Sequence, residues 1–258
     1  MSPLIETQDF GAIRCIRLAR PPVNALNPEL CRALIAALET ALSDDIAGVV
    51  LSGSPKIFSA GLDVPYLLSL GDDRRAVLEA WQAFFGAARL LASSRIPVVA
   101  ALTGHSPAGG CVLALCCDYR IMARSVDPAK PFAIGLNETQ VGLVVPDGVQ
   151  RLLARVVGEY RAERLLVAGE MVPAERAAEI GLVDELTDVE QVEARAVTWL
   201  EALLKLPQTP MLATRAIARR GVVEAMSPES ISLEAFVDRW WEPDTQAALH
   251  ALVAKLRK

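Results

Sequence analysis

The sequence predicts an α/β protein whose C-terminal part is helical. Short strands alternate with helices over the first two thirds of the 258 residues, and only helical patterns follow Pro207 and Pro210. We therefore expect an α/β core at residues 1–205 and a helical C-terminal region at residues 206–258. With 52% hydrophobic and 22% charged residues, the composition is that of a well-buried globular protein.

The first predicted elements are a hairpin and an amphipathic helix. Residues 4–7 and 12–18 read as two strands around a turn at residues 9–11. Asn-Pro-Glu at residues 27–29 predicts a helix start, because an N-cap side chain precedes a proline and an acid of the first turn. The helix that follows carries leucines every four residues, a spacing that predicts one buried stripe: Leu30, Leu34, Leu38 and Leu42.

The alternation then continues to the prolines that mark the boundary. Each of the three short helices near residue 170 is followed soon by a glycine, as helix ends often are. The predicted strands are residues 48–51, 97–102, 119–123 and 132–134, and the predicted helices are residues 73–92, 109–117, 149–157, 161–167, 173–179, 189–204, 211–219 and 233–257, the last disturbed at Pro243.

Charge and hydropathy argue against several classes of partner. The net charge is −5 and the pI about 5.2, so we expect neither nucleic acid nor an anionic membrane as the main partner. The longest apolar runs are far shorter than a membrane span. Residues 1–10 lack the features of a signal or transit peptide, and we expect a cytoplasmic protein.

The cysteines and histidines offer little for metal or nucleophile chemistry. Five cysteines are expected to be reduced, buried small hydrophobes rather than ligands. Only His105 and His250 are present, too few for a zinc site or a Ser-His-Asp triad at usable spacing. We therefore expect no metal site.

Three segments rich in small residues are candidates for a site: residues 58–63, 104–111 and 134–142. In the first two, a glycine-containing turn and a helix start leave backbone N–H groups free, and two such groups aimed at one point can hold an oxyanion. The third contains Glu138. Each segment taken alone is more often ordinary loop structure, and most glutamates lie on the surface.

In this order, the segments resemble the crotonase (enoyl-CoA hydratase/isomerase) superfamily, and within it the mitochondrial-type Δ3,Δ2-enoyl-CoA isomerases. The resemblance is firm over residues 10–190 and loose in the tail. It rests on these motifs: Pro-Val-Asn-Ala-Leu-Asn at 22–27, Ser-Ala-Gly-Leu-Asp at 59–63, Pro-Ala-Gly-Gly-Cys at 107–111, Cys-Asp-Tyr-Arg-Ile at 117–121, Ile-Gly-Leu-Asn-Glu-Thr at 134–139 and Ala-Glu-Ile-Gly-Leu-Val-Asp at 178–184.

The resemblance implies a fold, a substrate and an assembly. The fold would be a crotonase-type spiral of ββα units with a helical C-terminal region that builds a homotrimer or a dimer of trimers. The substrate would be a fatty enoyl-CoA thioester in the β-oxidation of unsaturated fatty acids. Coenzyme A would be part of that substrate, so no separate cofactor is implied.

The resemblance also implies roles for individual residues. The oxyanion hole falls on the backbone N–H groups of Leu62 and Gly109, and the catalytic glutamate on Glu138. Glu138 would take a proton from C2 of a 3-enoyl thioester and return it at C4. The substrate-binding residues would be Ser59, Ala60, Gly61, Leu62, Asp63, Gly109 and Asn137.

One departure from the family pattern favours isomerisation over hydration. Hydratases of the superfamily carry a second acid one residue after the cysteine of the Gly-Gly-Cys motif, where this chain has Val112. Adding water needs two carboxylates, whereas an allylic proton shift needs one. Some relatives use an acid eight residues after the glutamate, but Pro146 stands there. Asp147 reads as a loop acid, with a helper role as the alternative.

Other questions stay open at the level of sequence. Trp81, Phe85 and Leu90 could line an acyl tunnel, although aromatic residues at helical spacing more often belong to a core. The pair Trp240-Trp241 could form an interface or a lid. Alternative functions are another acyl-CoA reaction, such as hydration or thioester hydrolysis, and a non-catalytic RNA-binding relative, which the acidic charge and the intact Glu138 argue against.

Overall fold

The computed structural model describes residues 3–256, which form two sheets surrounded by helices. The strands are β1 (Ile5–Phe10), β2 (Ile13–Leu18), β3 (Gly48–Ser52), β4 (Lys56–Ile57), β5 (Val98–Leu102), β6 (Gly104–Pro107), β7 (Tyr119–Ala123), β8 (Ala133–Gly135), β9 (Val172–Pro173) and β10 (Glu185–Thr187). The helices are α1 (Pro28–Ser43), α2 (Val64–Ser69), α3 (Arg74–Ala92), α4 (Gly109–Leu115), α5 (Asp147–Val157), α6 (Glu159–Ala168), α7 (Ala174–Glu179), α8 (Val192–Leu204), α9 (Gln208–Ala218), α10 (Arg220–Ala225), α11 (Pro228–Ile231), α12 (Leu233–Asp238) and α13 (Pro243–Leu256). Short 3₁₀ helices lie at Glu138–Val141, Val189–Gln191 and Arg239–Trp241.

From β3 to β8, consecutive strands alternate between the two sheets. The large sheet has the order β1-β2-β3-β5-β7-β10 and the small sheet the order β4-β6-β8-β9. In each of the pairs β3/β4, β5/β6 and β7/β8 the first strand joins the large sheet and the second joins the small one, and a helix follows. The α/β class and the repeated ββα winding are thereby confirmed.

Elements with strong local signals form where the sequence predicts them. The Asn27 side chain accepts a hydrogen bond from the Leu30 N–H at 2.9 Å and caps α1, whose predicted stripe is buried except at Leu42, which is half-buried. Asp73 caps α3 in the same way, accepting from the Ala76 N–H at 3.0 Å. Local capping therefore decides these helix starts. All five cysteines are buried and unpaired.

Two predictions about local structure were wrong. The segment after β5 was expected to be a glycine-rich turn, but it forms strand β6 in the small sheet. Gly104 is required there because a Cβ would lie 1.9 Å from the carbonyl carbon of Lys56 on the neighbouring strand. The single helix expected at 233–257 is split, and Pro243 begins α13 instead of disturbing a continuous helix.

The C-terminal helices pack on the core of their own chain. Asp118, which directly precedes β7, forms a bidentate ion pair with Arg215 and a further contact at 3.2 Å with Arg219. Farther along, the Thr245 hydroxyl donates to the carbonyl oxygen of Gly142 at 2.7 Å, which fixes α13 beside the 3₁₀ helix Glu138–Val141. Residues 206–258 therefore include helices that reach the candidate site. The homotrimer stays a prediction.

Candidate active site

One cavity of about 550 Å³ collects the segments singled out in the sequence. Its walls come from the chain before α1, the loop before α2, the aromatic face of α3, the start of α4, the 3₁₀ helix Glu138–Val141 and two C-terminal helices. The lining residues used below are Arg20, Ala60, Leu62, Asp63, Trp81, Phe84, Phe85, Gly109, Val112, Asn137, Glu138, Pro146, Phe236 and Leu252. The wall is predominantly apolar, as expected of a pocket for a hydrophobic chain.

The loop before α2 directs one free N–H into this cavity. Leu26 pairs with this loop by donating its N–H to the Gly61 carbonyl at 2.8 Å and by accepting from the Asp63 N–H at 3.1 Å. Because alternate backbone groups of an extended segment point to opposite sides, the Leu62 N–H faces away from Leu26. It donates to no group within residues 3–256, and Leu62 lines the cavity.

The start of α4 supplies a second free N–H next to the first. Gly61 has φ +80°, and a Cβ on it would lie only 3.3 Å from the nitrogen of Gly109. The Gly109 N–H belongs to the first turn of α4, where no intrahelical acceptor exists, and it has no other acceptor in the described part of the chain. Two unpaired donors from adjacent segments thus border one cavity, as an oxyanion hole requires.

The backbone before Gly109 is strained. Ala108 has φ +45° and ψ −117°, a region that residues with a Cβ rarely adopt, and its N–H is held by the carbonyl oxygen of Gly135 at 2.8 Å. Gly110 has no room for a side chain, since a Cβ would lie 2.9 Å from the Ser59 carbonyl oxygen. The close approach of α4 to the loop therefore fixes the path of the peptide that carries the Gly109 donor.

Not every predicted substrate-binding residue reaches the cavity. Ser59 is fully buried behind the loop, where its hydroxyl donates to the Asn24 carbonyl at 2.8 Å and accepts from the Gly61 N–H at 3.2 Å. Ser59 and Gly61 thus shape the loop, whereas Ala60, Leu62 and Asp63 line the cavity.

The Asp63 carboxylate is already engaged within the protein. It caps α2 by accepting from the Tyr66 N–H at 3.0 Å, and it forms a 2.8 Å ion pair with Arg20. Both of these contacts hold the carboxylate in place on the cavity wall. Asp63 therefore organises the cavity wall.

Glu138 is the one carboxylate of the wall that has no cationic partner within residues 3–256. It opens a 3₁₀ helix that Gly142 ends in the left-handed conformation, with φ +78°. Its Oε2 atom is buried and accepts no hydrogen bond in the described part of the chain. Burial raises the pKa of Glu138 to about 7, an effect that a hydrogen bond from its own backbone N–H only partly offsets. A carboxyl group poised near neutral pH suits general acid–base work.

Asn137, just before Glu138, also lines the cavity. Its Oδ1 is buried and accepts no hydrogen bond from the described residues. Buried amide oxygens are normally satisfied, so this atom is a candidate acceptor for a ligand or a bound water.

The raised pKa of Glu138 predicts a stability that depends on pH. Because the folded protein holds this proton more tightly than the unfolded chain does, the stabilisation is present below the ordinary glutamate pKa and is lost as pH rises through about 7. Relative to Glu138→Gln, the wild type should lose roughly 2 kcal/mol of unfolding free energy between about pH 5 and pH 8. Urea unfolding of both proteins at the two pH values measures this difference in unfolding free energy. If the unfolding free energies of the two proteins changed equally with pH, folding would not raise the pKa of Glu138.

Val112 and Asp147, the two other positions considered in the sequence, lie in different surroundings. Val112 of α4 is buried and lines the cavity that contains Glu138. Asp147 begins α5 with 73% of its side chain exposed, pairs with Arg151 at 3.0 Å, and is absent from the cavity wall. Its neighbour Pro146 lines the cavity instead. Geometry therefore gives Asp147 no access to a bound acyl group.

The aromatic residues divide between wall and core. Trp81 and Phe85 line the cavity, but Leu90 does not. Trp240 is buried with its ring centroid 6.3 Å from that of Trp81. Trp241 is half-buried, and its indole N–H reaches the carbonyl oxygen of Gly71 at 3.4 Å.

Sequence reasoning missed several residues of the wall, among them Arg20, Phe84, Phe236 and Leu252. Arg20 borders the Pro-Val-Asn-Ala-Leu-Asn motif, and that position was the available signal. Phe236 and Leu252 lie in the helical region, where nothing in the local pattern distinguishes them from core residues.

Comparisons with known proteins show what the chain is similar to. A family model described as "Enoyl-CoA hydratase/isomerase" matches residues 9–245. The mouse protein named mitochondrial enoyl-CoA delta isomerase 1 is 33% identical over 99% of this chain and 87% of its own length. A probable enoyl-CoA hydratase of Mycobacterium avium is 36% identical over 81% of this chain and 79% of its own. The crystal structure of human mitochondrial Δ3-Δ2-enoyl-CoA isomerase superposes with a TM-score of 0.90 at 30% identity, covering 98% of both chains. Within residues 3–256, no helix has the length and apolarity needed to cross a bilayer.

Proposed function

The chain belongs to the enoyl-CoA hydratase/isomerase family, and on that premise we propose that it is a Δ3,Δ2-enoyl-CoA isomerase acting on fatty acyl-CoA in the oxidation of unsaturated fatty acids. The observation that carries the proposal is the single available carboxylate. Glu138 faces the cavity unpaired, Asp63 is engaged by Arg20, and the position of the hydratases' second acid is Val112. One base suffices for an allylic proton shift.

The proposed reaction begins with the thioester carbonyl oxygen between the N–H groups of Leu62 and Gly109. Glu138 takes a proton from C2, and the electrons of that C–H bond spread over the thioester and the C3–C4 double bond as a dienolate. Each donor contributes roughly 3–4 kcal/mol to stabilising the oxyanion as it forms. Glu138 then returns the proton to C4, which leaves the double bond between C2 and C3.

The environment of Glu138 supports both of its steps. A pKa of about 7 leaves a substantial ionised fraction near neutral pH, and it makes the protonated form a competent acid for the return step. The predominantly apolar wall offers water few hydrogen-bond partners, which would limit protonation of the dienolate by solvent. The same carboxyl group can serve C2 and C4 because both carbons flank one conjugated system.

The Val112 position offers a test of the reaction class. Val112→Glu introduces the second carboxyl group and is expected to confer measurable hydration of a 2-enoyl-CoA, read as loss of the conjugated absorbance. Val112→Gln is the control, since it is equally polar and buried but cannot transfer a proton. Because a buried glutamate without partners destabilises the fold, both variants are compared at equal folded concentration. A wild-type enzyme that hydrates 2-enoyl-CoA as fast as it isomerises 3-enoyl-CoA would refute the proposal.

The alternatives lead to different products. Hydration, which the name of the Mycobacterium avium relative suggests for that protein, would add water, and thioester hydrolysis would release free coenzyme A. An RNA-binding role would appear in a filter-binding assay without turnover. A homotrimer and a cytoplasmic location also stay predictions, and the mouse and human relatives are named as mitochondrial.

A further inference from the structure

Part of the cavity wall is built by the C-terminal helical region of the same chain. Phe236 of α12 and Leu252 of α13 both line it, although they lie about a hundred residues or more after Glu138 in the sequence. The helical region therefore closes a space whose chemical groups all belong to the α/β core.

A chain of contacts runs from the oxyanion hole to Phe236. A Cβ on Gly109 would lie 3.1 Å from the Phe84 ring, so Phe84 borders the hole. The ring centroid of Phe84 is 6.3 Å from that of Trp81, and Trp81 meets Phe236 edge to face with centroids 4.6 Å apart. Phe236 of α12 is thus linked to the oxyanion hole through Phe84 and Trp81, and all three rings line the cavity.

Several contacts hold the Phe236 ring in place. It packs against Trp81 and, with centroids 6.3 Å apart, against Phe85. The neighbouring Val237 is fully buried, which anchors α12 to the core. At the surface, Arg74 of α3 pairs with Asp238 at 2.7 Å. An aromatic ring packed on two others is a rigid wall.

We propose, resting on the function proposed above, that Phe236 is the stop that limits the length of the acyl chain. The substrate class is then a fatty 3-enoyl-CoA of bounded length, whose terminal methyl group abuts the Phe236 ring. Chains that end before the ring gain apolar contact with each added carbon. Longer chains would have to displace the Phe236 ring.

A binding series tests the proposal without requiring catalysis. Saturated acyl-CoAs with even chains from hexanoyl to hexadecanoyl are titrated into the wild-type protein by calorimetry. Affinity should rise about fourfold per methylene, equivalent to about 0.8 kcal/mol, and then stop rising at one length within the series. Continued gain to hexadecanoyl-CoA would show an open-ended pocket and overturn the proposal.

Two variants assign the stop to the side chain. Phe236→Ala removes the ring and should move the stop to a chain longer by roughly two or more carbons. Phe236→Leu is better tolerated by the fold and should move it by less, in the same direction. An unchanged stop in a folded variant would overturn the proposal.

Arg74→Gln is the matched control. It breaks the exposed ion pairs from α3 to α12 but leaves the pocket wall intact, and exposed ion pairs add little stability. The stop should stay at the wild-type length. A shift equal to that of Phe236→Ala would assign the limit to the position of α12 and refute the role of the ring. Saturated acyl-CoAs have no double bond to isomerise, so their binding is measured independently of isomerisation. A bounded series in a protein that fails to isomerise would therefore refute the proposed function alone.

Discussion

Glu138→Gln is expected to lower kcat for 3-enoyl-CoA isomerisation by several orders of magnitude, about 10⁴-fold or more. The amide keeps the size of the carboxyl group but can neither accept the C2 proton nor return it at C4. The fold should persist, since within the described residues the Oε2 atom of Glu138 makes no hydrogen bond that would be lost. Initial rates from the absorbance of the conjugated thioester, with circular dichroism as a check of folding, measure the effect.

Asp147→Asn is the matched control for that variant. Asp147 is an exposed carboxylate paired with Arg151 outside the cavity wall, so its loss should leave turnover within about twofold of the wild type. If Glu138→Gln kept more than about a tenth of the wild-type rate, a change of about 1.4 kcal/mol or less in the barrier, the base would have to be another group.

Replacing the Ala108–Gly109 amide by an ester is expected to lower kcat by about 10²–10³-fold. Incorporating glycolic acid at position 109 exchanges the N–H for an oxygen and adds no atoms to the cavity. The oxyanion would then keep only the Leu62 donor. The ester carbonyl is also a weaker acceptor for the Val112 N–H, now bonded to the Ala108 carbonyl at 3.0 Å, so a small loss of stability is expected as well.

The control is the same exchange one residue later, at Gly110, whose N–H also lies in the first turn of α4 but is not assigned to the hole. Esters at 109 and 110 that slow the reaction equally would place the donor elsewhere.

Side-chain substitutions at Gly109 are poorer tests of the donor. Proline at 109 disfavours the ψ of −117° at Ala108, and alanine at 109 would bring a Cβ within 3.1 Å of Phe84.

The parts of the fold and site that could be predicted are those with short-range causes. The Asn27 cap and the α1 stripe follow from residues within one or two helical turns, which the sequence displays directly. The positions of Glu138, Leu62 and Gly109 followed from ordered motifs and not from periodicity. In the structure all three lie around one cavity, and their roles await the experiments above.

What could not be predicted depends on contacts between distant parts of the chain. Gly104 reads as a turn residue, yet it is a strand residue because β4 passes too close for a side chain. The burial of Glu138 depends on its tertiary surroundings, where α13 packs beside its 3₁₀ helix. Phe236 lies in a helical tail that looks like ordinary core. The burial of a residue, its pKa and its place in a pocket wall therefore depend on tertiary contacts. Helix caps and buried helix stripes, in contrast, follow from the local sequence.

The most direct test of the central claim is identification of the product from a 3-enoyl-CoA. The wild-type protein is incubated with a trans-3-enoyl-CoA, and mass and ultraviolet absorbance are followed together. One-base isomerisation predicts a product of unchanged mass that gains the absorbance of a conjugated 2-enoyl thioester. A product heavier by one water with no conjugated species accumulating, or free coenzyme A, would contradict it.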